Sequence, residues 1–411
     1  MASLSGRYTD LSIPWLTWLL EEKFFRLTSV FFLLFYLILS LINFHFLDFE
    51  APWFSGLEVA KGTSFYDQLD NIFDEDEKVF RSIHFAHHPP VFIYVVAGLI
   101  LLFGEYQLPT KLFIGLCGYL LGWLIYLLVK KWTNNELFAR VALLLSWLNP
   151  AMLSAVVIGL FEPFFLILLL LACFFIMEDR PALAGTMASL AALTKISGVL
   201  IAPVLGIMLI RKNDWKGVIK YCLAWFIVFG AIFGYFWSVS GEDFWYLAFT
   251  WQMTRGAESM SLIYYLGGSW GGTTSQLPSF WSYFIFIVVI EAVLLLLLFS
   301  KRDDWHILFL GSSLIFISFS LVSRIVYPQY FLWFFVFLVF YATELLFLDK
   351  IKHLLVLLSS IAVLQLTSLT WFIFLKSWWL GEALSGFFSF VACIVLEYLI
   401  ILELFSSNKS P

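Results

Sequence analysis

Charge is what this sequence has least of. Only 13% of its 411 residues are Asp, Glu, Lys or Arg, against 62% hydrophobic, and the mean hydropathy is +0.91. No soluble domain needs that much apolar surface. No run of Lys and Arg resembles a nucleic-acid footprint, so the sequence offers DNA and RNA nothing to bind. The four cysteines, Cys117, Cys173, Cys222 and Cys393, lie in or beside apolar segments without motif spacing. They read as small buried hydrophobes, not as disulfides or zinc ligands. A signal-peptide pattern is also missing, because the first apolar stretch is short and ends in Glu21 and Glu22. Residues 1–26 instead suggest an interfacial segment ahead of a first span.

What is present is a series of apolar blocks, each about 17–25 residues long, enough to cross a hydrocarbon core of about 30 Å. They fall at residues 27–47, 112–129, 137–158, 163–177, 219–238, 281–300, 305–322, 330–348, 354–375 and 384–404. A broken pair lies between 182 and 210. The 18 Trp and 17 Tyr sit mostly near block ends, as interfacial belts require. The expectation is an all-α, multi-pass membrane protein forming one domain over residues 1–411, with about 11–12 spans.

Residues 91–103, "VFIYVVAGLILLF", are too few to cross alone, at about 20 Å as a helix. If they form a partial element, 16 of the 24 Lys and Arg share the side of the N-terminus, seven lie opposite and Lys195 is inside the membrane. That asymmetry follows the positive-inside rule, and a full span there would break it. Two long, aromatic loops then face outward, 48–90 and 239–280, and long loops in compact proteins tend to carry function.

Several polar residues interrupt this pattern. Asp48 and Glu50 end the first block and precede "APWFSGLEVAKGTSFYDQ", an amphipathic surface helix expected to start at Pro52. Carboxylates held between a span and such a helix are partly desolvated, which suits base work, although acids also commonly mark a helix end in water. Lys195 breaks an apolar run, which makes it a functional candidate by default. It could meet a phosphate, or pair with an acid such as Glu162 or Glu291. His84, His87 and His88 have helical spacing, but Pro89 and Pro90 end any helix there, so a metal site is disfavoured; His87 or His88 could hydrogen-bond phosphate or sugar, or be an ordinary interfacial histidine. The acidic stretch 67–78 lacks calcium-loop glycine spacing and reads as a solvated loop. Tyr327, Gln329 and Tyr330 stand at the outer end of a span, as groove lining or as aromatic belt. Glu291 and Glu397 are intramembrane acids without motif support.

Taken in order, these stretches resemble the GT-C superfamily of integral membrane glycosyltransferases. A span ending in "DFE", then "GTSFYD" with Tyr66, then "HPP" with His88, is similar to the family's first outward loop, where its catalytic acid lies. "NPAMLSAVVIGLFE" is similar to an Asn-Pro then Gly-x-x-Asp pattern, with Glu162 in place of Asp. "ALAGTMASLAALTKISGVLIAP" resembles the segment that holds the family's Thr-Lys. "SRIVYPQYFLW" resembles the Pro-Gln-Tyr signature of polyprenyl-phosphate-mannose mannosyltransferases of glycosyltransferase family 87. "MTRGAESMSLIYYL" shares an Arg-then-Ser pattern with the first mannosyltransferase of GPI-anchor assembly, without its following His-Asn pair. The resemblance covers residues 27–335.

The resemblance implies a GT-C fold and an inverting transfer of a hexose, mannose in particular. The donor would be a polyprenyl-phosphate sugar, the acceptor a lipid or glycan, and the site would face outward. Asp48 would be the general base, with Glu50 orienting the acceptor or serving as a second acid. Arg255 is the best phosphate partner, because a guanidinium forks onto phosphate oxygens and keeps its charge. His88, His87 and Lys195 would assist, and Glu162, Tyr66, Tyr330 and Gln329 would line the substrate site. No metal or cofactor is expected, since the donor has no diphosphate to clamp. The expected location is a prokaryotic cell membrane, with the endoplasmic reticulum as alternative. A transporter of lipid-linked sugars is the rival. It should show two related halves, whereas the polar loops here gather after the first span and after residue 238.

Overall fold

The structure is a computed structural model and describes residues 18–42, 47–63, 66, 88–250, 258–259, 279–323, 325–374 and 379–406. Apart from one two-residue parallel bridge, β1 (Glu258–Ser259) with β2 (Ile325–Val326), its regular elements are helices.

The inner end of the bundle is marked by ion pairs. α1 (Glu22–Leu41) starts there, with Glu22 bonded to Arg140 at 3.1 Å. α4 (Gln107–Thr133) ends there, with Lys130 2.7 Å from Glu136 and Lys131 paired with Glu178. At the opposite end of α4, Lys111 lies 5.0 Å over the Phe49 ring of α2 (Leu47–Ala60). α2 therefore lies at the end of the bundle opposite these ion pairs, here called the outer end. It begins at Leu47, five residues before the Pro52 start expected from sequence, so Asp48 and Glu50 belong to its first turn.

α3 (Pro90–Phe103) is 14 residues long, about 21 Å. Its first N–H, from Val91, donates to the Leu193 carbonyl at 3.0 Å, and its last residue lies a short turn from the outer start of α4. Its start thus meets the hairpin tip described below, and α3 packs along α2. Residues 91–103 lie within this one short helix, which is shorter than a hydrocarbon core of about 30 Å.

α5 (Glu136–Trp147) and α6 (Pro150–Ile158) form one bent pass, with 47° between them. Asn149 caps α6 by accepting from Ala151 N–H at 2.9 Å, and Pro150 supplies a first residue that needs no donor. α7 (Glu162–Met177) returns inward. α8 (Pro181–Ala192), a 3₁₀ turn (Ile196–Leu200) and α9 (Ile201–Arg211) form the broken pair seen in the sequence. α8 rises only about 18 Å from the inner end, so the tip of this hairpin, with Lys195, stays within the bundle. The hairpin closes tightly because Gly198 lies against the Ala191 backbone, where a Cβ would sit 2.7 Å from its carbonyl carbon.

α10 (Trp215–Trp245) then leads outward to the second loop, bending at Gly241, and continues into a π-turn over Tyr246–Thr250. α11 (Ser279–Phe299), α12 (Asp304–Val322), α13 (Phe331–Phe347), α14 (Ile351–Phe374) and α15 (Trp379–Phe405) complete the bundle. By length and composition, five described helices can cross a membrane, six if the bent pair counts once. The other passes use shorter apolar helices.

Two intramembrane acids can now be placed. Glu397 accepts a hydrogen bond from Ser318 at 2.5 Å, which joins α15 to α12. Glu291 lies on the exposed face of α11.

Candidate active site

The site is built where the hairpin tip meets the start of α7. Gly159 ends α6 at φ 83°, a conformation that suits glycine, and turns the chain so that Phe161 and Glu162 face the hairpin. Phe49 of α2 rests on this turn, since a Cβ at Gly159 would lie 2.8 Å from its ring. The helix that opens with Asp48 and Glu50 is thus seated on the turn that delivers Glu162. Glu50 is half-buried and acts electrostatically on Lys111.

Lys195 meets Glu162. Nζ lies 2.7 Å from Oε1, with the two side chains only 9% and 2% exposed. Of the alternatives open for Lys195, an acid partner is what its surroundings contain. The remaining faces of the ammonium are aromatic: Trp333 at 4.8 Å, Tyr330 at 4.9 Å and Phe161 at 5.2 Å to the ring centres. Such a cage stabilises a cation by about 0.5–2 kcal/mol per good contact, and the carboxylate offsets the several kcal/mol of desolvation that a buried ammonium carries. Three buried polar atoms here lack a hydrogen-bond partner among the described residues: Glu162 Oε2, Ser197 Oγ and Trp333 Nε1.

The rim is half-buried. The His88 ring packs edge-on against Phe161 at 5.0 Å, and Tyr330 stacks on Trp333 at 4.2 Å with Tyr327 edge-on to it at 5.9 Å. Gln329 belongs to the same 3₁₀ turn, Pro328–Tyr330. Tyr66 lies behind this rim. Its ring is fully buried between Phe236 and Phe244, and its hydroxyl donates to the His88 carbonyl at 3.0 Å. It holds His88 in place from behind. The bridge of Glu258 and Ser259 to Ile325 and Val326 ties the second loop to the strand leading into that turn.

The structure therefore brings together His88, Glu162, Lys195 and Tyr330, with α2 against them through Phe49. His84, His87, Arg255 and the acidic stretch 67–78 lie outside the described residues, as does the side chain of Asp48. Among the described residues no group of three or more His, Cys, Asp or Glu could hold a metal ion. Phe161, Trp333 and Lys111 were not among the residues singled out from sequence. Trp333 follows Tyr330 by three residues, helical spacing that would have placed both on one face.

Comparison with known proteins agrees with this architecture. Residues 86–324, more than half of the chain, match the family model described as glycosyltransferase family 87. No curated protein matches by sequence. The crystal structure of ArnT from Cupriavidus metallidurans bound to undecaprenyl phosphate superposes with a TM-score of 0.52 at 15% identity, over 93% of this chain and 78% of that one. The same enzyme in the apo state gives 0.44 at 15% identity, over 83% and 72%. Glu162 and Lys195 fall inside the matched stretch, and Asp48 and Tyr330 flank it. The expectation drawn from short motifs holds at the level of family and fold, and the chain belongs to glycosyltransferase family 87, as an integral, multi-pass membrane glycosyltransferase of GT-C fold.

Proposed function

We propose that this glycosyltransferase moves a hexose, mannose in particular, from a polyprenyl-phosphate donor to a hydroxyl of a lipid or glycan acceptor at the outer membrane face, with inversion. The observation that carries the proposal is the seating of the Asp48–Glu50 turn on the Gly159–Glu162 corner, beside a buried lysine and the half-buried His88. That the ArnT structure is bound to undecaprenyl phosphate supports a lipid phosphate as the donor's carrier. The excess of Lys and Arg at the inner end supports an outward site.

The chemistry needs little machinery. A sugar on a lipid phosphate already carries an anionic leaving group, so one base and a few cations suffice. Asp48 takes the acceptor proton and Glu50 orients the acceptor. Arg255, His88 and His87 bind the phosphate from the outer loops, and Lys195 reaches it from below. Gln329 and Tyr330 line the acceptor side, and Tyr66 positions His88. With no diphosphate to clamp, no metal is needed. The membrane is that of a prokaryotic cell, with the endoplasmic reticulum as the second setting.

The test incubates purified protein with polyprenyl-phosphate-mannose and a panel of lipid and glycan acceptors, wild type beside Asp48→Asn. Loss of a general base should lower transfer by about 10²–10⁴-fold. Equal transfer by both proteins removes Asp48 as the base. No transfer to any acceptor, with lipid-linked sugar crossing vesicles, favours the transporter.

A further inference from the structure

The Glu162–Lys195 pair has a property that a purely structural ion pair does not need. Lys195 has one ionic partner among the described residues, on one side only, and π faces around the rest. Glu162 uses one oxygen, and its second is buried with no hydrogen-bond partner among the described residues. A buried carboxylate normally has its lone pairs filled. This one is held by a single bond to a cation whose other contacts are non-directional. The aromatic cage lets the ammonium tilt without losing its cation–π contacts, because a ring attracts a cation over its whole face.

We infer that Glu162 is a positioning residue that competes with the lipid phosphate for Lys195, and so limits how tightly the enzyme retains the polyprenyl phosphate it produces. The inference rests on the donor reading above. During transfer the bond from the sugar's anomeric carbon to the phosphate oxygen breaks, and its electron pair stays on that oxygen. The acceptor oxygen bonds to the same carbon, and its proton passes to Asp48. The lipid phosphate changes from a diester with one negative charge to a monoester carrying about −1.5 to −2 at neutral pH. Lys195 is drawn to the added charge, and Glu162 is left buried without its counter-ion. Leaving such a charge uncompensated is strongly unfavourable. Return of Lys195 to Glu162 therefore helps to expel the product. In the resting enzyme the pair is neutral and holds the lysine ready without attracting stray anions.

The experiment measures binding of farnesyl phosphate, a short polyprenyl phosphate, to wild type, Glu162→Gln, Glu162→Asp and Lys195→Gln in detergent, with donor turnover alongside. Thermal melting checks that each variant is folded. Glu162→Gln should bind farnesyl phosphate at least about tenfold more tightly than wild type, because the competing charge is gone. Its kcat and donor KM should fall together, as product release becomes slow. Glu162→Asp, which keeps the charge but withdraws it by one methylene, should tighten binding less. Lys195→Gln should weaken it about tenfold or more. If Glu162→Gln does not fold, Glu162→Asp decides the matter. Unchanged or weaker affinity in the folded Glu162 variants, with wild type binding normally, makes the pair structural and overturns the inference. Failure of the wild type both to bind farnesyl phosphate and to turn over any polyprenyl-phosphate sugar overturns the donor reading instead.

Discussion

The two ends of this bundle treat charge in opposite ways. At the inner end four basic side chains, Arg140, Arg211, Arg302 and His306, are each tied to several partners. Arg140 donates to Glu136 at 2.5 Å, to the Leu19 carbonyl at 2.7 Å and to Glu22, and lies over Phe25 at 4.0 Å. Arg211 donates to the carbonyls of Ser300, Arg302 and Leu298 and closes the end of α11. Arg302 grips the end of α15 through the Glu403 carbonyl, the Ser406 hydroxyl and the Glu403 carboxylate. His306 sits between Asp303 and Glu344, joining α12 to α13. At the outer end the helices are short or broken, and Lys195 meets one carboxylate oxygen and otherwise rings. Charges tied to several partners fix helices to one another, and of the three arginines only Arg211 has a buried Nε without a hydrogen-bond partner among the described residues. A charge with spare capacity beside a half-buried rim is available to something that arrives. The contrast marks one end as foundation and the other as workplace.

The sharpest way to break that contrast is to delete one cation from each end. Arg302→Ala strands a buried Glu403, which keeps Lys350 at 3.5 Å. Losing one partner of a buried pair typically costs about 3–5 kcal/mol, so its melting temperature should fall by several degrees. Transfer per folded molecule should stay within about twofold of wild type, since nothing near the hairpin tip moves. Lys195→Ala should also lose stability, but its transfer per folded molecule should collapse. Equal activity loss in the two variants would erase the distinction between the ends.

A smaller effect tests how the workplace is assembled. Gly159→Ala places a Cβ 2.8 Å from the Phe49 ring in a left-handed backbone conformation, at a cost of about 1–3 kcal/mol. The strain falls on the contact that seats α2, so transfer should drop more than the melting temperature alone explains. A loss of stability at undiminished transfer per folded molecule would mean that Asp48 does not depend on this seat. Tyr66→Phe is milder. It removes one hydroxyl and leaves the His88 carbonyl without that donor, about 1 kcal/mol or a few-fold in transfer. Donor KM should move and kcat should not, because the ring still fills its buried site and only His88 loosens.

Much of this organisation was legible before any coordinates. Apolar block length and the bias of Lys and Arg suggested an orientation and a partial element at residues 91–103, where a 14-residue helix stands. The broken pair at 182–210 was visible, and Glu162 was named as a partner for Lys195. What composition hid was the cage. In a chain with 47 Phe and 18 Trp, the two rings that matter, Phe161 and Trp333, look like every other apolar residue. A motif likewise marks Tyr66 as necessary without saying whether it faces the substrate or the core. The start of α2 was set five residues late because Pro52 reads as a first-turn signal, while the helix takes it inside. Arg255 stays a matter of motif and chemistry.

The smallest effect belongs to the inner end. Glu178 follows α7 and accepts a hydrogen bond from Lys131, which holds its carboxyl below the usual value of 4.5. A carboxyl lowered on folding stabilises the protein above its unfolded pKa, and that contribution is lost as pH falls through the lower, folded value. The window therefore lies below about pH 4.5, far from the neutral conditions of transfer. Glu178 and Lys131 are each about one-third exposed, so solvent and salt screen the pair and its contribution is small. Glu178→Gln should melt almost as wild type does at pH 7, and its melting temperature should fall less steeply than the wild type's on acidification below pH 5. Added salt should shrink even that difference. A large loss at neutral pH would show that the inner end is held by individual surface pairs. The expected flat response would place its strength in the buried contacts of Arg140, Arg211 and Arg302, which salt does not reach.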